Sequence, residues 1–196
     1  MIKDVLQIGE PILEKPTKEV TDISSSEVKT IINDLVDTCI AMSERSAGLS
    51  SNQIGYDLRI CVCRRTDLED QSNRESSSAV DDKTLWEVMI NPEITKASKD
   101  ESAYWEGCLS IGETEKDTIW GPVWRPDTIT LIYTNREGEK KELEATDFFS
   151  HVVQHELDHL DGVLFISKVP NPEKNLWKSP RLNEFLEKNK EFPPVA

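Results

Sequence analysis

The apolar and polar positions divide the chain into a few readable elements. Val28, Ile31, Ile32, Leu35, Val36, Cys39 and Ile40 recur at the spacing of one helix face. Ser24-Ser25-Ser26-Glu27 precedes them, with Ser24 and Glu27 at capping-box spacing, so the pattern predicts an amphipathic helix ending near Arg45. A loop of small residues, Ser46 to Gln53, follows, and then a strand over Leu58 to Cys63. Trp86 to Ile90 reads as another strand, closed by Asn91-Pro92. Thr128 to Thr134 alternates at period two, and Asn135-Arg136-Glu137-Gly138 turns it back into Lys140 to Glu144, which predicts a hairpin.

A second helix starts at Thr146 or Asp147, either of which can cap it, and runs through Phe148, Val152, Val153, His155, Glu156 and His159. Gly162 suits the left-handed position just past its end. Val163 to Ile166 reads as a short apolar strand, and Ser179-Pro180 opens a last helix with Pro in its first turn. The stretch Glu69 to Lys83 is rich in Ser, Asp and Glu and predicts a long exposed loop. Strands before and between a few helices, without a βαβ alternation, indicate an α+β fold.

Composition narrows the function classes. The net charge is −14, so a broad basic surface for nucleic acid is not expected. No apolar run approaches the roughly 20 residues that cross a membrane as a helix. The start, Met1 to Gly9, has no apolar signal segment, and the expected compartment is the cytoplasm, or an organellar matrix after removal of a targeting segment. Four cysteines in 196 residues do not make a disulfide scaffold. Cys39, Cys61 and Cys63 sit at apolar positions and are expected to pack in the core.

The chemistry is concentrated in His155-Glu156-Leu157-Asp158-His159, which fits H-E-x-x-H. Histidines four apart share one face of a helix, so both imidazoles can reach one ion, with Glu156 placed to move a proton beside it. Flanking Val152, Val153, Leu157 and Leu160 bury this helix in part. Two histidines and a carboxylate in such a setting are costly unless something binds them. A third ligand is needed. The remaining histidine, His151, is eight residues from His159 and diverges from it by about 80° around the helix. The position of a third His in the metzincin pattern holds Phe165. Glu173 or Glu184 would make a site of another type. Cys108, in Glu106-Gly107-Cys108-Leu109-Ser110, is the other candidate, although that string alone equally suits a buried structural cysteine.

Three segments together resemble the peptide deformylase family. Its glycine-rich G-x-G-L-x-x-x-Q loop, E-G-C-L-S turn and Q-H-E-x-D-H helix stand here as Ser46 to Gln53, Glu106 to Ser110 and Gln154 to His159, in that order. The opening Val5 to Leu13 is also similar, and the likeness covers roughly residues 1–170. The resemblance implies mixed or antiparallel sheets packed around the helix that carries H-E-x-x-H. It implies a catalytic domain over 1–170, with 171–196 a C-terminal helix and tail of the same domain.

The resemblance also assigns roles. Cys108, His155 and His159 would bind one divalent metal, Fe2+ first, with Zn2+, Ni2+ or Co2+ as substitutes. Glu156 would be the acid and base. The Gln53 side-chain N–H and the Leu109 backbone N–H would hold the oxyanion. Gly48 and Gly107 would lie along the substrate, and His151 would border its side-chain pocket. The implied reaction removes the N-formyl group from N-formylmethionyl nascent chains, at the ribosome, releasing formate.

The departures are Ser46 for the loop's first Gly, Ser50 and Ser51 for alanines, Gly112 for a Pro, and His151 where the methionine pocket is usually apolar. The alternatives are a related hydrolase of another N-acyl substrate, a metal-stabilised binding module for protein N-termini, and a zinc endopeptidase. The binding module has no need of an acid–base carboxylate, and the endopeptidase would leave Cys108 dispensable.

Overall fold

The computed structural model describes residues 1–68 and 82–196. The predicted loop Glu69 to Lys83 therefore lies outside the described residues except at its end, where a 3-10 turn spans Asp82–Leu85. Two antiparallel sheets enclose one helix. The larger sheet has the order β1 (Gly48–Ser50), β2 (Ile60–Arg64), β3 (Trp86–Ala97), β6 (Thr128–Thr134), β7 (Lys140–Thr146). The smaller contains β4 (Glu101–Gly107), β5 (Ile119–Pro126) and β8 (Trp177–Lys178), with β5 in the middle. The α+β expectation is met.

The long helices are α1 (Ser26–Ala41), α2 (Asp147–Leu160) and α3 (Ser179–Asn189). In α1 the cap is Ser25, whose hydroxyl accepts from the Val28 N–H, rather than Ser24. Ser24 instead bonds back to Asp22, which occupies its hydroxyl. The helix also stops at Ala41, short of Arg45. Thr146 holds the N-cap position of α2 without a side-chain bond. The last turn of α2 ends as the sequence indicates: Gly162 has φ +75°, and Val163 N–H returns to the Asp158 carbonyl. A Cβ at Gly162 would meet the Lys15 backbone at 2.6 Å, because the N-terminal segment crosses there.

Strand β2 shows why the sheet forms between two layers. Its alternate residues Ile60 and Val62 pack with α1, while Cys61 and Cys63 pack with α2. Both faces are buried, so the strand reads as a continuous apolar run. The three cysteines expected in the core are there, as free thiols.

Three further elements differ from expectation. The loop Ser46 to Gln53 contains strand β1 and a 3-10 turn over Ser51–Ile54, since three residues at its centre pair with Cys61, Val62 and Cys63. Strand β3 does not stop at Asn91-Pro92. Asn91 takes φ +51°, its side-chain amide exchanges two hydrogen bonds with the Val20 backbone, and the strand continues past a register shift. Asn tolerates this conformation better than most residues. Val163 to Ile166 is not a strand: a 3-10 turn covers Phe165–Lys168, and Phe165 is buried beside Cys108.

Leu131, in β6, is fully buried beneath α2. Leu131→Ala is expected to lower unfolding free energy by about 2–5 kcal/mol, the range for a large-to-small change in a packed core. Chemical denaturation at equilibrium measures it.

Candidate metal centre and adjoining pocket

The sheets place three ligand types at one point. His155 and His159 project from the same face of α2, and Cys108 follows the end of β4. One donor atom from each lies within 4.8 Å of the others. Cys108 Sγ is 3.1 Å from His159 Nε2. Two such atoms at that distance are held together by a shared proton or by a cation between them. A thiolate with two imidazoles suits a first-row transition ion, so the donor set fits the metal that the sequence implies. Among the described residues this is the one such cluster with three donors.

A buried ion cluster sets the geometry behind the ligands. Arg125 of β5, only 2% exposed, donates to both carboxylate oxygens of Glu106 at 2.6 and 3.0 Å and to Asp158 of α2 at 2.7 Å. Glu106 also accepts from His155 Nδ1 at 2.9 Å, which leaves Nε2 free to face the ion. Burial would raise the Glu106 pKa, but Arg125, then His151 and His155, outweigh it and hold the carboxylate well below its usual range. Burial likewise pulls His155 down, but its hydrogen bonds to Cys108 and Glu106 hold it well above an ordinary histidine. His159 is lowered by burial and by the neighbouring His155.

Glu156 points to the opposite side, toward β1. Its carboxylate accepts from the Ser50 hydroxyl at 2.7 Å. Burial raises its pKa above an ordinary glutamate, against the pull of His155 and the Ser50 bond. Gly48 gives it room: a Cβ there would meet Glu156 Oε1 at 2.6 Å. Gln53 is held by its amide oxygen, which accepts from the Ser50 N–H at 2.9 Å. Its NH2 group then lies 3.1 Å from Ser110 Oγ and 3.6 Å from Cys108 Sγ. Leu109 follows Cys108 directly, and its carbonyl accepts from Gln7 at 3.0 Å.

These residues border one pocket of ≈ 180 Å³. Gly48, Gln53, Gly107, Cys108, Leu109, His151, His155 and Glu156 all line it, joined by Tyr104, Trp105, Trp120 and Phe148. His159 stands behind them, fully buried. Every residue given a role by the resemblance is thus at or beside this pocket, whereas Glu173 and Glu184, the alternative third ligands, neither line it nor join the donor cluster.

Several others were not legible there. Ser50 carries no signal that it faces Glu156. Arg125 and Asp158 are common charged residues until the fold brings them to Glu106. Tyr104 and Trp105 sit in a strand that the apolar pattern did not mark.

Arg125→Met is expected to cost about 3–5 kcal/mol, because Glu106 is left charged and buried without its partner. Denaturant unfolding measures this. A loss below 1 kcal/mol would mean that the cluster does not hold the sheet to α2.

The sequence matches the family described as polypeptide deformylase over residues 2–175. A peptide deformylase of Pseudothermotoga lettingae is 35% identical over 89% of this chain and 86% of its own length. The crystal structure of peptide deformylase from Thermotoga maritima is 28% identical, with a TM-score of 0.68 over 87% of this chain and 99% of that one. The actinonin complex of a peptide deformylase from Synechococcus elongatus is 27% identical, with a TM-score of 0.69 over 96% and 86% of the two chains. With the Cys-His-His cluster on an H-E-x-x-H helix and a family match over most of its length, this chain belongs to the polypeptide deformylase family.

Proposed function

We propose that this chain hydrolyses the N-formyl group of N-formylmethionyl nascent polypeptides, releasing formate and a free α-amine, with Cys108, His155 and His159 holding one divalent ion. The observation that carries this is the meeting of those three donors within 4.8 Å at a pocket that Glu156 also lines. When bound, the ion supplies Lewis acidity and lowers the pKa of water near neutrality. Fe2+ is the first choice and Zn2+, Ni2+ or Co2+ are substitutes.

The chain's own groups do the rest. Glu156 takes a proton from the attacking water and returns it to the leaving amine. Its raised pKa suits both tasks, since a base works best with a pKa near the working pH. The Gln53 NH2, aimed by Ser50, and the Leu109 N–H stabilise the negative oxygen that develops on the formyl carbon.

Gly48 and Gly107 belong to β1 and β4, which lie at the outer edges of their sheets and border the pocket. An extended peptide can pair with such an edge. The acidic chain, with net charge −14, offers no broad basic surface, and its meeting with the ribosome is taken to pass through the nascent chain itself. No helix among the described residues is long and apolar enough to cross a membrane. The assigned compartment is the cytoplasm or an organellar matrix.

We assign residues 1–170 to the catalytic domain and 171–196 to the same domain. The pairing of β8 with β5 and the stacking of Phe192 on Trp105 support this.

The test is formate release from formyl-Met-Ala-Ser by protein purified anaerobically with Fe2+. Glu156→Ala should fall at least about a hundredfold while keeping its metal, as loss of a general base requires. Cys108→Ser should lose metal by elemental analysis. Protein that binds one ion and releases no formate would overturn the reading.

Replacing Gly48 by Ala should displace the Glu156 carboxylate and lower turnover at least tenfold, on the order of a misplaced catalytic group. Metal content should not change.

A further inference from the structure

Strand β1 lies at the edge of its sheet, so one side of its backbone has no neighbouring strand. The register decides which groups face that side. Gly48 stands opposite Cys63 and Leu49 opposite Val62, and the Arg64 N–H donates to the Ala47 carbonyl at 2.7 Å. In an antiparallel pair, the backbone groups of successive residues turn alternately toward and away from the partner. The Ala47 carbonyl and Leu49 therefore turn toward β2, and Gly48 and Ser50 present their N–H and C=O to the free edge.

Both outward residues are met from within the same loop. The Ser50 N–H donates to Gln53 Oε1 at 2.9 Å. The Gly48 carbonyl accepts from the Ser46 hydroxyl at 2.6 Å. The first bond aims the Gln53 amide, and the second has no part in the chemistry above. Ser46 lines the pocket, is half-buried, and stands where the family's loop begins with Gly, which has no hydroxyl to offer. The carbonyl it holds belongs to the residue at which a Cβ would meet Glu156, so this acceptor lies beside the carboxylate.

An open strand edge presents bare backbone donors and acceptors, and proteins often cover them. A peptide that adds to β1 as a further strand gives one of its N–H groups to an outward carbonyl, and Gly48 carries the one that borders Glu156. A carbonyl oxygen has two lone pairs. A hydroxyl held at 2.6 Å takes one of them and competes for the oxygen with an arriving N–H.

We infer that Ser46 caps the peptide-binding edge of this chain. Its hydroxyl holds the carbonyl with which the substrate backbone pairs, so each peptide replaces an internal hydrogen bond with its own and binds more weakly than at an uncapped edge. The inference rests on the reading of β1 as a strand along which the formylated peptide lies. A bond exchanged on binding weighs equally on ground state and transition state, so it moves KM and leaves kcat.

The test measures kcat and KM for formyl-Met-Ala-Ser on Fe2+-loaded protein, and by calorimetry the Kd of Met-Ala-Ser, which has the same backbone without the formyl group. Ser46→Ala removes the hydroxyl and Ser46→Thr keeps one. In Ser46→Ala, KM and Kd are expected to fall about three- to tenfold, the range for one exchanged hydrogen bond, with kcat within about twofold. Ser46→Thr should stay within about twofold of the unchanged protein in all three. A merely structural role would loosen the loop in Ser46→Ala and raise KM. Values of KM and Kd that rise or stay within about twofold in Ser46→Ala overturn the inference, as does an equal fall in Ser46→Thr. If Kd falls as expected in Ser46→Ala but no protein releases formate, the capped edge stands and the deformylase reading falls. Absence of both binding and turnover overturns the two together.

Discussion

The arrangement depends on one buried guanidinium. Arg125 ties Glu106 of β4 to Asp158 of α2, and the Glu106 carboxylate in turn orients His155. A buried ion pair adds little net stability, since desolvation consumes most of the Coulomb gain. Its value here is geometric. Glu106 stands two residues before Cys108 in the chain, so the pair fixes the strand that carries the thiol against the helix that carries the imidazoles. Without it, donors from two elements would share a site only through the ion itself.

The opposite wall is built by close approach instead of charge. Strand β1 comes so near to α2 that position 48 has room for no side chain, and Ser50 reaches Glu156 through its hydroxyl. That hydroxyl is fully buried, and its single proton has two acceptors in reach, the Glu156 carboxylate at 2.7 Å and the Glu156 backbone carbonyl at 2.9 Å. Gln53 completes a capping box with Ser50, so a local turn motif sets the orientation of an amide that faces the metal ligands. The same few residues therefore serve as secondary structure and as site.

The pocket between these walls combines aromatic rings with the imidazoles of His151 and His155. Tyr104, Trp105, Trp120 and Phe148 give it shape, and Trp105 is itself held by Phe192 stacked upon it and by Trp177 at its edge. Phe148 is 45% exposed at the mouth. The chain thus uses its C-terminal stretch to brace a wall of the site. His151 stands among these rings as a helix residue with an unfilled polar requirement.

Sequence alone determined the parts whose geometry is local. A period of 3.6 puts His155, Glu156 and His159 on adjoining faces of one helix, and Gly162 ends that helix, because both follow from backbone geometry over a few residues. The hairpin of β6 and β7 was legible for the same reason. The Cys108 string became readable through its likeness to a family, not through its own spacing. Tertiary structure alone decided the rest. The stretch from Val163 is no strand: a 3-10 turn begins at Phe165, whose ring joins the apolar cluster that contains Cys108. Strand β3 continued through Asn91 because Val20 supplied a partner. Arg125, Asp158 and Ser50 acquired their roles from residues far away in the chain. Such contacts leave no periodicity in the sequence, since what brings the partners together is the packing of whole layers.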